Sequence, residues 1–309
     1  MNRVIKNYLS LVKFSHTIFA MPFALIGFFL GLNRVSFQQG NLNSSVGWGG
    51  ANTFISKDDV FIKFFLVIGC MIFARSAAMA FNRWLDRNYD ANNPRTAIRE
   101  IPSGIISSRN AMLLVVISAV AFVVCCYLIN PICFYLSAVA LFVILFYSYT
   151  KRFTPLCHLV LGLGLSLAPI GAYLAVTGKF DLLPILFSFT VLFWVSGFDI
   201  IYALQDEEFD KANYLHSIPA MLGKKKALKV SELLHVLSLA GVIAAGIYGS
   251  FGWLYWAGIL VFGGMLIYQH SIVKPNDLRR VNIAFMTANG IASVIFSIFV
   301  LLDLFLIKK

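Results

Sequence analysis

Nine apolar stretches, each about as long as the hydrocarbon core of a bilayer is thick, constrain this sequence more than any other feature. A transmembrane helix needs roughly 20 predominantly apolar residues. With 59% hydrophobic and only 13% charged residues, the chain cannot be a water-soluble globule of ordinary composition. We therefore expect an all-α integral membrane protein, a single domain over residues 1–309 with nine transmembrane helices. The predicted spans are 14–32, 60–81, 111–129, 132–149, 156–176, 183–204, 227–248, 253–270 and 281–307.

The Lys and Arg residues are distributed unequally between the two sides of these predicted helices. A formal charge of +11 could suggest a nucleic-acid partner, but the position of the cations indicates a membrane instead. With a cytoplasmic N-terminus, eighteen of the 25 cations lie on the cytoplasmic side, five on the opposite side and two within a span. The positive-inside rule therefore predicts this orientation for a multi-pass protein of the bacterial inner membrane. We expect contact with membrane lipid and none with nucleic acid.

Two groups of acidic residues lie at the cytoplasmic ends of the second and sixth predicted spans. At 3.6 residues per turn, the members of each group fall within an arc of about 80° on one helix face. Like charges at i,i+4 destabilise a helix, and carboxylates near a bilayer are costly, so each group needs cations to offset its repulsion. We call them the first acidic cluster, Asn82, Asp86 and Asp90, and the second acidic cluster, Asp199, Tyr202, Asp206 and Asp210.

Basic residues follow each cluster in the chain, with Arg95 and Arg99 after the first and Lys211 after the second. Carboxylates interleaved with cations suit a metal ion that bridges to an anion. Mg²⁺ takes oxygen ligands and is usually held by one or two carboxylates together with substrate phosphates. Arg and Lys contact the remaining phosphate oxygens. Two clusters therefore predict two Mg²⁺ positions flanking one diphosphate, with both clusters as the active site.

A diphosphate bound to metal ions and cations is a good leaving group, because they neutralise the charge that develops as its carbon–oxygen bond breaks. In a membrane, the natural substrate of this kind is an allylic polyprenyl diphosphate, whose tail needs an apolar channel. Aromatic faces stabilise an allylic cation, and Tyr202 is the aromatic residue that the second cluster places at the site. A cation-coupled transporter is the alternative from another class, but it predicts carboxylates near the bilayer midplane on broken helices.

Two segments resemble the signatures of a known family. Residues 74–90 read ARSAAMAFNRWLDRNYD, which contains NxxxDxxxD, and residues 199–210 read DIIYALQDEEFD, which ends in DxxxD. Both are similar to the signatures of the UbiA superfamily of intramembrane prenyltransferases. The resemblance implies an all-helical fold with a central cavity that opens to the membrane. It also implies Mg²⁺-dependent transfer of a polyprenyl group to a small aromatic acceptor in the biosynthesis of respiratory quinones.

The resemblance also implies roles for individual residues. The metal ligands would be Asn82, Asp86, Asp90, Asp206 and Asp210, and the catalytic residues Asp86, Asp206, Asp199 and Tyr202. The diphosphate contacts would be Arg152, Lys151, Arg95, Arg99 and Arg75, the last because a charge within a span is expected to be functional. For Lys151 and Arg152, anchoring of a helix end on the cytoplasmic side is the alternative interpretation.

The acceptor is the least constrained part of this prediction. Members that use 4-hydroxybenzoate typically carry an Asp-Lys-Pro element in the first span, where residues 14–23 here read FSHTIFAMPF. That pattern resembles a bacterial subgroup labelled 4-hydroxybenzoate polyprenyltransferase but also linked to menaquinone synthesis by the futalosine route. We expect 4-hydroxybenzoate as the acceptor, with a futalosine-derived or naphthoate precursor as the alternative. His16 either contacts the acceptor or is a packing histidine.

Overall fold

The computed structural model describes residues 3–13, 17, 19–40 and 57–307, and their regular secondary structure is helical apart from one isolated β-bridge. The predicted all-α fold is confirmed. The chain also contains a 3₁₀ turn, Leu204–Asp206, and a π-helical turn, Ile283–Ala288. The helices are α1 (Arg3–Leu11), α2 (Met21–Gly40), α3 (Lys57–Leu85), α4 (Arg87–Asn92), α5 (Ser108–Ile129), α6 (Pro131–Thr150), α7 (Cys157–Thr177), α8 (Leu182–Ala203), α9 (Glu207–Ala212), α10 (Ile218–Tyr248), α11 (Trp253–Ile272) and α12 (Asn289–Leu306).

Seven helical segments of the described chain are long and apolar enough to cross a bilayer, so the predicted count of nine spans is not confirmed. Of the other two predicted spans, 253–270 lies within α11, and 14–32 is helical from Met21 onward, while residues 14–16 and 18 lie outside the described residues. The apolar part of α2, Met21–Val35, is shorter than the seven. The other helix, α11, has Gln269, His270 and Ser271 in its last turn and is not among the seven.

The helix α8 lies between α7 and α10 and carries several of the largest buried side chains of the core, including Phe187 and Trp194. Small residues allow this close packing. A Cβ on Gly162 of α7 would lie 2.4 Å from the carbonyl oxygen of Leu192 in α8. A Cβ on Gly197 of α8 would lie 2.4 Å from the ring of His235 in α10. Glycine at these positions is therefore what brings α7 and α10 against α8.

Where α10 ends and α11 begins, a buried carboxylate has a structural role. Asp303 of α12 is 1% exposed, and it accepts hydrogen bonds from the backbone N–H groups of Gly252, at 2.8 Å, and Tyr255, at 3.2 Å. These groups lie at the start of α11, where helical N–H groups lack partners within the helix and the helix dipole favours a negative charge. Asp303 thus caps α11 from a neighbouring helix.

Candidate active site

The two acidic clusters share a backbone feature that the sequence did not predict. Each cluster spans a break in its helix instead of one continuous helical face. Asp86 separates α3 from α4 with φ −91° and ψ 4°, and Asp206 precedes α9 with φ −103° and ψ 5°. These angles lie in the sparsely populated bridge region, where many active-site residues are found. Hydrogen bonds from Asp86 N to Asn82 O, 2.9 Å, and from Asp90 N to Asp86 O, 2.8 Å, keep the four-residue spacing of the first cluster.

In the first acidic cluster, Asp86 is held between an amide and a guanidinium. Asn82 donates a hydrogen bond from Nδ2 to Asp86 Oδ2 at 3.1 Å, and Arg152 donates from Nη2 to Asp86 Oδ1 at 2.9 Å. Arg152 also donates to the carbonyl oxygens of Leu85 and Ser148, which fixes its orientation. Burial raises the pKa of Asp86 above its ordinary value, and the Arg152 charge opposes that rise. The neutral form of Asp86 is therefore the one that burial favours.

Asp90 completes the first acidic cluster and is only 6% exposed. Arg99 donates to its Oδ1 at 2.6 Å. The other oxygen, Oδ2, is buried and accepts no hydrogen bond from the described residues, and the guanidinium of Arg83 lies 4.0 Å away. A buried carboxylate oxygen without a hydrogen bond is costly, so this atom needs a further positive or hydrogen-bonding partner.

In the second acidic cluster, Asp206 forms a two-pronged ion pair with Arg95, which donates from Nε to Oδ1 at 3.0 Å and from Nη2 to Oδ2. Asn93 donates to the same Oδ1 at 3.2 Å. The remaining terminal nitrogen of Arg95 donates to the Tyr202 hydroxyl at 3.2 Å. Because Asn93 and Arg95 follow the first cluster in the chain, that segment supplies the partners of the second cluster.

Asp210 is fully buried and is held by a cation and a helix cap. Lys151 Nζ lies 2.7 Å from its Oδ1, and the Ser217 hydroxyl donates to its Oδ2 at 2.9 Å. Ser217 is also the N-cap of α10, because its hydroxyl accepts from the backbone N–H of Ala220. Burial lowers the pKa of Lys151, but the charge and hydrogen bond of Asp210, together with the charge of Asp206, more than offset this and hold that pKa above its ordinary value.

Consecutive cations therefore reach different clusters, since Arg152 contacts Asp86 and Lys151 contacts Asp210. Both residues lie in the short turn between α6 and α7. A backbone hydrogen bond of 2.7 Å from His216 N to Lys151 O ties this turn to the segment before α10. The turn thus joins the two clusters across a single site.

Both clusters surround one cavity of about 280 Å³. Of the predicted site residues, His16 lies outside the described residues. All of the others line this cavity: Arg75, Asn82, Asp86, Asp90, Arg95, Arg99, Lys151, Arg152, Asp199, Tyr202, Asp206 and Asp210.

A second cavity, of about 330 Å³ and with an almost wholly apolar wall, adjoins the first. The two share the wall residues Arg75, Met79, Tyr147, Leu161 and Leu165. Arg75 therefore stands at the boundary. One of its terminal nitrogens donates to the carbonyl oxygen of Lys13 at 3.4 Å, while its buried Nε has no hydrogen-bond partner among the described residues. The site consequently has a charged compartment at the helix ends and an apolar one within the bundle.

The comparisons with known proteins agree with this architecture. The sequence profile of the UbiA prenyltransferase family matches residues 44–291. The chain belongs to this family. It is 32% identical over 244 residues to the 4-hydroxybenzoate octaprenyltransferase of Nitrosospira multiformis, which covers 79% of this chain and 82% of that protein. Its identity to the protein of the same name from Vibrio atlanticus is 30% over 238 residues, with 77% and 82% covered.

Solved structures of UbiA homologues show the same fold. A homologue from Aeropyrum pernix K1, determined without ligand, superposes with a TM-score of 0.74 at 26% identity and covers 94% of this chain and 97% of that one. A homologue from Archaeoglobus fulgidus bound to GPP and Mg²⁺ superposes with a TM-score of 0.66 at 18% identity, with 96% and 99% covered. The chain is therefore a UbiA-family prenyltransferase and an integral membrane protein, as the sequence predicted.

The carboxylates of this UbiA-family site fit a metal ion only in company with an anion. In the described part of the chain, no three His, Cys, Asp or Glu side chains converge as a ready-made metal site. Each metal-ligand candidate that is an aspartate instead faces an arginine or lysine, and Asp90 Oδ2 still lacks a hydrogen bond. If Mg²⁺ bound together with a diphosphate, each carboxylate could contact a metal ion and each arginine or lysine could contact a phosphate oxygen. The donor set thus suits a metal–diphosphate complex better than a bare ion.

Among the residues of the cavity wall that were not predicted, Phe285 and His158 contact the second acidic cluster. Phe285 lies in the π-helical turn before α12, and its ring centroid is 4.3 Å from that of Tyr202. Its position is held by Asn289, which donates to the carbonyl oxygens of Ala284 and Phe285. His158 of α7 contacts Asp199. Both are single residues in apolar segments, and no spacing pattern distinguishes them from packing residues.

Proposed function

We propose that this protein transfers a polyprenyl group from an allylic polyprenyl diphosphate to a small aromatic acceptor, 4-hydroxybenzoate, in the biosynthesis of respiratory quinones. The observation that carries the proposal is the pair of adjoining cavities, one lined by the two acidic clusters with their cations and the other apolar. A molecule with a diphosphate head and a hydrocarbon tail fits such a site. The 4-hydroxybenzoate octaprenyltransferases at 32% and 30% identity support the choice of acceptor.

Asn82, Asp86 and Asp90 would hold one Mg²⁺, and Asp206 and Asp210 a second. Archaeoglobus fulgidus homologues bound to Mg²⁺ with GPP or DMAPP support a divalent cation in this fold. When bound, Mg²⁺ neutralises charge on the diphosphate oxygens as the carbon–oxygen bond breaks. Asp90 Oδ2, which accepts no hydrogen bond from the described residues, gives the first position an unused ligand.

The cations of the site bind and orient the diphosphate. Arg152 and Lys151 line the cavity from the turn between α6 and α7, while Arg95 and Arg99 line it from the segment after α4. All four cations already contact carboxylates. When the substrate binds, each cation exchanges its carboxylate partner for a phosphate oxygen and so remains paired with a negative charge. Their guanidinium and ammonium groups stabilise the diphosphate as it leaves because they are already in place.

The prenyl group then meets the boundary between the two cavities. Arg75 stands there, close to where the diphosphate joins the tail. The paired rings of Tyr202 and Phe285 line the charged cavity and offer π faces to an allylic cation. The tail occupies the apolar cavity, whose wall along α6 runs from Tyr147 to Cys133, about 20 Å at 1.5 Å per residue.

We infer the location and orientation from the charge pattern. The eighteen-to-five distribution of cations places the N-terminus and both acidic clusters on the cytoplasmic side of the bacterial inner membrane. Residues 1–309 would act as one catalytic domain. The diphosphate would then enter from the cytoplasmic face, and the tail would lie within the bilayer.

Product analysis of the purified protein tests this proposal. The protein, in lipid nanodiscs with Mg²⁺, is given geranyl diphosphate and, in parallel reactions, 4-hydroxybenzoate, a naphthoate and a futalosine-derived aromatic acid, with products read by mass spectrometry. We expect prenylated 4-hydroxybenzoate. Prenylation of another acceptor alone would replace the acceptor and keep the reaction class. Asp277→Asn, at an exposed loop, is the matched control and should form the same product as the wild type. The absence of any prenylated product from this protein, under conditions in which a 4-hydroxybenzoate octaprenyltransferase is active, would reject the proposal.

A further inference from the structure

The contacts of His158 define a role that reaches beyond packing. This side chain is 3% exposed in α7, and its Nδ1 lies 2.7 Å from Asp199 Oδ2. Its other ring nitrogen, Nε2, lies 3.3 Å from the backbone N–H of Ile218, which donates to it. A nitrogen that accepts a hydrogen bond carries no proton, so Nε2 is the bare nitrogen and Nδ1 carries the hydrogen. His158 therefore donates to Asp199 as a neutral imidazole.

The Ile218 N–H belongs to the first turn of α10, directly after Ser217. Ser217 donates to Asp210 at 2.9 Å. Two consecutive residues at the start of α10 thus hold two members of the second acidic cluster, Asp210 directly and Asp199 through His158. This is a rigid arrangement, because N–H groups in the first turn of a helix have no partner within the helix and are free to fix a side chain.

One carboxylate oxygen of Asp199 accepts the hydrogen bond from His158, and the other can accept a hydrogen bond from a ligand. Oδ2 accepts from His158, while Oδ1 has no hydrogen-bond partner among the described residues. The side chain is 24% exposed and lines the charged cavity beside Tyr202. The available oxygen therefore serves as an acceptor for a polar group in the cavity.

We propose that His158 is a positioning residue, held in its Nδ1–H tautomer by the start of α10, which orients Asp199 so that its second oxygen is directed to the bound acceptor. The inference rests on the proposed function. It makes Asp199 part of the acceptor subsite. Outer partners of this kind typically change activity by about 10- to 100-fold when they are removed from a ligand they orient.

Two substitutions separate the two ring nitrogens. His158→Asn places an amide donor about where Nδ1 lies, and His158→Gln places one about where Nε2 lies. We expect kcat within about threefold of wild type for Asn and a fall of about 10- to 100-fold for Gln, with KM for the prenyl diphosphate unchanged in both. The unchanged KM distinguishes positioning of Asp199 from damage to the diphosphate site. Equal kcat in the two variants would overturn the proposal.

His235 provides a matched control. It is another buried histidine, with Nδ1 2.8 Å from His270 and Nε2 3.3 Å from the Trp194 carbonyl oxygen, but it lines neither cavity. His235→Asn should lower the thermal stability and leave kcat per folded molecule within about twofold of wild type. A fall in kcat as large as that of His158→Gln would assign the loss to the helix packing and overturn the positioning role.

The tautomer is measured independently of turnover. In protein labelled with ¹⁵N-histidine, the His158 signals are identified among the five histidines by their loss in His158→Asn. We expect a protonated Nδ1 and an unprotonated Nε2 in the substrate-free protein. A proton on Nε2, in either the other tautomer or the imidazolium, would contradict the inference. If the tautomer is as expected but no acceptor is prenylated, the proposed function fails while the assigned hydrogen bonds of His158 stand.

Discussion

The two acidic clusters have the same backbone design but different support. In each, an aspartate in the bridge region breaks the helix. The first cluster is held by arginines that lie outside its own helix, and Asp90 keeps one buried oxygen without a hydrogen bond. In the second cluster, Asp210 is held by Ser217 at the start of α10 and by Lys151 in the turn before α7. Asp206 is held by two hydrogen bonds from Arg95. We infer that the second cluster is organised before substrate binds, whereas the first completes its contacts only with the substrate.

The largest expected effect is on the chemical step, where the two clusters should behave alike. Asp86→Asn and Asp206→Asn each remove one negative charge and add no bulk. If both residues hold metal against the leaving diphosphate, kcat should fall by about 10² to 10³ in each. Rapid-quench measurement of product at saturating substrates tests this. Near-normal kcat in either variant would remove that cluster from the chemical step.

The loss of folding stability on removing a cation should be larger at the second cluster than at the first. Lys151→Met leaves Asp210 fully buried without its cation, and removing one partner of a buried ion pair typically costs about 3–5 kcal/mol. Arg152→Met leaves Asp86 with its hydrogen bond from Asn82 and a side chain that is 24% exposed, so its cost should be smaller than that of Lys151→Met. Arg152→Met should instead raise KM for the prenyl diphosphate. Thermal denaturation in detergent compares the two, and equal destabilisation would contradict the difference in support.

The pH dependence of kcat/KM should show how Arg152 controls the ionisation of Asp86 in the first cluster. Burial raises the pKa of this carboxyl and Arg152 lowers it, so Arg152→Gln should raise it further. Asp86 must be ionised to hold metal, and activity is therefore lost as pH falls through its pKa in the folded protein. The acid limb of kcat/KM should move to higher pH in Arg152→Gln than in wild type. A limb that stays in place would show that another group controls it.

The smallest effect should come from an ion pair outside both clusters. Asp277 accepts from Arg279, which lowers the pKa of this exposed carboxyl to about 2. Its contribution to stability would be present above the ordinary aspartate pKa and lost as pH falls towards 2. Exposed pairs contribute little, so Asp277→Asn should change neither the melting temperature nor kcat at neutral pH. A measurable loss of activity would place this loop in the site.

The sequence predicted the composition of the site better than its geometry. The four-residue spacing of the aspartates was sufficient to find both clusters, because neighbours on a helix are set by local geometry. The breaks at Asp86 and Asp206 were not predicted, since neither proline nor glycine is adjacent to them. His158 and Phe285 acquire their contacts only when α7, α8 and the π-helical turn pack together, and such contacts between distant residues leave no pattern in one sequence.

The most direct test of the two-cluster account is calorimetric titration of Mg²⁺ into the protein with and without an unreactive thio-analogue of geranyl diphosphate. Because phosphate oxygens complete each metal site, we expect weak Mg²⁺ binding alone and two ions per protein, bound more tightly, with the analogue. Asp86→Asn and Asp206→Asn should each reduce the number to one. Tight Mg²⁺ binding without the diphosphate, or two ions retained in both variants, would contradict the account.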